Sequence, residues 1–122
     1  MEAYGRNVLG KMVAGSIVET RPEVAAEVMA MLQRAPAKGA AAAMRGRAER
    51  RDFTEVLRGA RIPVLAVVGA DDAFDGGAGR RMAELAPGAE LVVVEGAGHT
   101  PNLEQPAAFD DALDAFLRKL PA

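Results

Sequence analysis

Apolar and polar positions fall into two regimes along the chain. Up to about Arg61 the apolar residues recur at helical spacing, and beyond Ile62-Pro63 they gather in short unbroken runs. Val24, Val28, Met31 and Leu32 stand at i, i+4, i+7 and i+8, which is one stripe of a helix. Thr20-Arg21-Pro22-Glu23, just before the stripe, has the pattern of a capping box with proline at the first helical position. Ala35-Pro36 is expected to end that helix. The alanine-rich stretch from Lys38 to about Glu49 predicts a second helix, and Thr54 a cap for a short third one.

The second regime predicts strand at about Val64–Val68, helix at about Ala78–Leu85, strand at about Leu91–Val94 and helix at about Pro106–Leu120. This βαβα order implies parallel strands joined by a right-handed crossover. Both strands are continuous apolar runs, which implies burial on both faces. Phe109, Leu113, Phe116, Leu117 and Leu120 share one face of the final helix. Two parallel strands do not make a stable sheet by themselves. An unpaired edge is therefore expected on Val64–Val68, open to a partner.

Composition narrows the classes without choosing a function. The chain has 122 residues, half of them hydrophobic and 26 % charged, which places it with single globular domains. Its net charge of −2 disfavours an electrostatic nucleic-acid binder. The arginines between Arg45 and Arg61 are interleaved with Glu49, Asp52 and Glu55 and read as a solvated helix face. With no cysteine and one histidine, thiolate and histidine-rich metal sites are excluded within one chain. No apolar run approaches the roughly 20 residues of a membrane span. The expectation is a cytoplasmic protein with no membrane partner.

The single histidine lies in Glu95-Gly96-Ala97-Gly98-His99-Thr100-Pro101, immediately after the second strand. Glycines there can lift an imidazole out of the core and into a cleft. The first strand empties into Gly69-Ala70-Asp71-Asp72. A carboxylate and a histidine at adjacent strand ends suit the acid and base of a nucleophile–base–acid relay. An imidazole, whose ordinary pKa is near 6.5, can both take and return a proton around neutrality. Asp71 and Asp72 are both candidates for the orienting acid, and Asp75 reads as a cap for the next helix. Gly76-Gly77-Ala78-Gly79 and Gly96-Ala97-Gly98 lack the residues a phosphate cradle needs and read as turns.

These residues carry a family likeness. An apolar strand, Gly69-Ala70-Asp71-Asp72, then Gly96-Ala97-Gly98-His99 and Glu104-Gln105-Pro106, then a helix reaching Phe116-Leu117, resembles the C-terminal third of an α/β-hydrolase. The members it looks like are esterases, enol-lactonases and haloperoxidase-like enzymes. The resemblance implies an α/β fold: the last βαβα of the hydrolase sheet in residues 62–122, preceded by cap-like helices in 1–61, incomplete relative to the full fold. It implies Asp72 as catalytic acid, His99 as catalytic base, Glu104 as a structural carboxylate, and no cofactor or metal.

The family's nucleophile elbow, Gly-x-Ser-x-Gly, has no match. Ser16, the single serine, lies in Ala14-Gly15-Ser16-Ile17-Val18, with valine at the elbow's second glycine. The implied function is the acid–base portion of a hydrolase acting on a small ester or lactone, inactive alone, with its nucleophile outside this chain. Whether that nucleophile is serine or aspartate stays open. A homodimer or a complementing N-terminal hydrolase segment is expected at the strand edge. The alternative is a non-catalytic hydrolase-like module for binding or assembly.

Overall fold

A computed structural model describes residues 1–121. Five helices come first: α1 (Glu2–Met12), α2 (Gly15–Thr20), α3 (Pro22–Arg34), α4 (Ala37–Ala48) and α5 (Thr54–Arg58). Then follow β1 (Leu65–Gly69), α6 (Ala78–Leu85), β2 (Glu90–Val94), α7 (Pro101–Glu104) and α8 (Pro106–Leu117).

The main apolar core sits among the helices. Val24, Ala25 and Val28 of α3 pack with Ile17 of α2 and with Val13 and Ala14 of the joint before it. Leu9 and Met12 of α1, Leu32 of α3 and Leu103 of α7 close over them. The helical stripe read from sequence is thus the buried face of α3, except that Met31 is 40 % exposed and Ala25 takes its share of the core. By contrast, α4 has no buried residue.

Two expected caps are replaced by other residues. The Thr20 hydroxyl donates back to the Ser16 carbonyl, which occupies it inside α2, so Arg21 stands at the N-cap of α3. Thr54 is the first residue of α5 rather than its cap. The Asp52 carboxylate accepts its hydroxyl at 2.6 Å and its N–H at 2.8 Å. Those two bonds, the hydroxyl's first, hold the Asp52 carboxyl below its ordinary range. Asp75 caps α6 as expected, accepting from Gly77 N–H at 2.9 Å and Gly79 N–H at 2.7 Å.

The strands β1 and β2 pair in parallel, Leu65 opposite Glu90 and Gly69 opposite Val94. Among the described residues they form a two-stranded sheet. Burial on both faces is not observed. Leu65–Val68 are half-buried and Val93 is 41 % exposed, because two strands carrying α6 and α8 leave much of each face uncovered. For the same reason the apolar stripe of α8 is split. Phe109, Phe116 and Leu120 are partly covered, while Leu113 and Leu117 face solvent. The free edge of β1 carries no charged residue. Glu90 at the start of β2 is instead paired with Lys119 at 2.6 Å. Charge is one of the usual protections of a true sheet edge, and β1 lacks it.

A side chain at Gly69 would fall on the carbonyl oxygens of Gly98 and Ala97, so the end of β1 and the loop after β2 touch backbone to backbone. Gly69→Ala is therefore expected to destabilise the protein by about 1–3 kcal/mol in urea unfolding, since backbone cannot yield as a side chain can. Ile17→Ala in the helical core is expected to cost about 2–5 kcal/mol. Ile62→Ala, at a position 72 % exposed, should stay within about 0.5 kcal/mol. Equal losses at Ile17 and Ile62 would contradict this placement of the core.

Candidate active site

The loops leaving the two strands are laced together by backbone bonds. Ala70 N–H donates to Val94 C=O and Asp71 N–H to Ala97 C=O, each at 2.9 Å. This brings Asp72, three residues past β1, beside His99, five residues past β2. Asp72 Oδ2 lies 2.9 Å from His99 Nδ1. Its other oxygen, Oδ1, accepts the N–H groups of Phe74 at 2.8 Å and Asp75 at 3.2 Å. The carboxylate is thereby fixed in place with one oxygen left for the imidazole.

A carboxylate accepts, so the shared hydrogen sits on Nδ1, and in the neutral ring the lone pair is then on Nε2. The Asp72 side chain is 8 % exposed and that of His99 44 %. The acid is shielded while the base opens outward. The Phe74 ring meets the imidazole edge-on, with centroids 4.9 Å apart. Phe74 therefore touches both members of the pair, through its N–H and through its ring.

A second carboxylate supports the histidine loop from behind. Glu104 is fully buried. Its Oε2 accepts Ala14 N–H at 2.7 Å and Gly98 N–H at 2.8 Å. Its Oε1 accepts both the N–H and the hydroxyl of Thr100 at 2.9 Å. Arg21 donates to the Glu104 carbonyl at 2.8 Å. The histidine's own N–H donates to Met12 C=O at 3.0 Å. A side chain at Gly98 would come within 2.7 Å of the Ala14 nitrogen, so glycine is what lets the loop seat on this joint.

The remaining sequence candidates separate cleanly. Asp71 is exposed and engages the loop through its backbone. Ser16 is exposed on α2, and its carbonyl is taken by Thr20. Both glycine stretches are turns: the first is filled by the Asp75 cap, the second by the seat for His99. Among the described residues no three His, Asp or Glu side chains are grouped as metal ligands. Met44 lines an apolar groove of about 230 Å³ with Tyr4, Ala37, Ala40 and Ala41, away from the Asp72–His99 pair.

Sequence reasoning missed Phe74, the Met12–Ala14 joint and the short helix α7. Thr100-Pro101 was a legible signal for α7, since a threonine before a proline starts many helices. Nothing local marks Met12–Ala14 as the partner of a loop some 90 positions away.

Comparison with known proteins identifies the fold and the family. The alpha/beta hydrolase family profile matches residues 4–112. A thermophilic esterase from Thermogutta terrifontis superposes with a TM-score of 0.91 at 34 % identity, over 96 % of this chain and 43 % of its own. The enol-lactonase from Burkholderia xenovorans LB400 superposes with a TM-score of 0.88 at 26 % identity, over 98 % and 45 %. A hydrolase from Pseudomonas aeruginosa PA01 gives 0.85 at 28 %, over 96 % and 44 %. No curated protein sequence matches. The chain spans less than half the length of each of these structures. With strand, loop and helix placed as in these enzymes over nearly its whole length, the chain belongs to the alpha/beta hydrolase family.

Proposed function

We propose that this chain supplies the acid and base of a hydrolase acting on an ester or lactone, with the nucleophile on polypeptide outside it. The observation that carries this reading is the 2.9 Å bond between Asp72 Oδ2 and His99 Nδ1, made by a shielded carboxylate and an open imidazole. His99 Nε2 would take the nucleophile's proton as it attacks the acyl carbon, then return it to the leaving oxygen. Asp72 would hold the ring in the Nδ1–H form and stabilise the imidazolium that forms. The esterase and enol-lactonase neighbours favour acyl transfer, with the acyl group then released to water.

The position of Ser16 supports placing the nucleophile elsewhere. It sits on an exposed helix, without the strand–turn–helix setting of an elbow. A second copy of this chain would bring no better nucleophile. A complementing segment fits the free edge of β1, uncharged and flanked by exposed Ile62, together with the bare Leu113 and Leu117 of α8. An elbow-bearing strand added there would extend the sheet beside the Asp72 loop.

Two measurements test the reading. A fluorophosphonate probe is expected to leave the isolated chain unlabelled, and stoichiometric labelling would contradict an external nucleophile. Joining the chain to the part of the Thermogutta esterase that it does not cover should give a chimera that hydrolyses a nitrophenyl ester. In that chimera Asp72→Asn is expected to lower kcat roughly 10⁴-fold, because the wrong tautomer is then favoured. An active chimera indifferent to Asp72→Asn and to His99→Ala would remove both residues from the mechanism.

A further inference from the structure

Three consecutive backbone N–H groups, those of Gly98, His99 and Thr100, are each bound to a fixed acceptor. The outer two go to opposite oxygens of the buried Glu104 carboxylate and the middle one to Met12 C=O. The peptide planes on both sides of His99 are therefore set, and with them the direction of its Cα–Cβ bond. Glu104 Oε2 also holds Ala14 N–H at 2.7 Å, so the same carboxylate ties the histidine loop to the joint between α1 and α2.

We propose that Glu104 is a positioning residue for His99, mounting the imidazole on the helical layer so that Nδ1 meets Asp72 and Nε2 faces outward. The proposal rests on the reading of His99 as base and adds a residue that touches neither substrate nor nucleophile. Glu104 acts through the loop backbone. A shift of about 1 Å in a catalytic group can cost roughly 10²-fold in rate, which is the scale such a mount protects. The acceptor must be a carboxylate. In either orientation a glutamine would aim its NH₂ at backbone donors, the N–H groups of Ala14 and Gly98 on one side or that of Thr100 on the other.

Because His99 is the single histidine, nitrogen-15 NMR reads its tautomer and its Nδ1 proton without overlap and without turnover. The wild-type chain is expected to show the Nδ1–H form with a slowly exchanging Nδ1 proton. In Glu104→Gln that resonance should be lost to exchange and the nitrogen shifts should move towards a tautomer mixture. Thr100→Val keeps the shape and removes the hydroxyl bonds to Glu104 and to Met12. It should change the signals in the same direction by less, and it decides the matter alone if Glu104→Gln does not fold. Val28→Ala, which opens the helical core but removes no hydrogen bond to Glu104, should lower stability while leaving the folded protein's His99 signals in place. Wild-type signals in folded Glu104→Gln or, failing that variant, in Thr100→Val would overturn the proposal. So would an equal change in Val28→Ala. If the signals respond as expected but the chimera shows no dependence on His99, the mount stands and the catalytic reading falls.

Discussion

A buried carboxylate with four hydrogen-bond donors around it holds the two parts of this protein together. Glu104 is out of contact with solvent, and burial of such a group is costly unless its oxygens are satisfied. Here both are, by donors drawn from residues 14, 98 and 100. The bonds to Ala14 and Gly98 join chain segments more than 80 residues apart at a single oxygen. Removing the acceptor would leave buried N–H groups unmet, each costing about 1–3 kcal/mol. Helical core, histidine loop and sheet therefore share one constraint, and the Asp72–His99 pair is its outward result.

The sheet shows the opposite condition. Its strands have the composition of a fully covered layer but only partial cover, with the free edge of β1 unguarded by charge. Stability in this chain is consequently uneven. The helical core and the Glu104 contacts are well buried, whereas β1, β2 and the outer stripe of α8 are only partly covered. The relatives are more than twice as long as the matched region.

What could be read from sequence was what short-range pattern encodes. The limits of α6 matched the structure, the strands were placed within about one residue, and the Asp72–His99 meeting followed from glycine-rich loops after adjacent parallel strands. Caps were less legible, because Thr20 and Thr54 each had a competing local bond that only geometry reveals. The expectation of strands buried on both faces failed because composition records the environment a strand was selected for, not the cover present in 121 residues. Glu104 was legible as a structural carboxylate by resemblance. Its partners at Ala14 and Gly98 were not, since no periodicity links positions so distant.

Native mass spectrometry of the protein purified from its own cells tests the central claim most directly. The expected result is a particle in which these residues are accompanied, on the same polypeptide or on another, by a strand–elbow–helix nucleophile segment. Particles made solely of 12.7 kDa chains would contain no elbow at all, and would contradict an acid–base role in favour of a non-catalytic binding module.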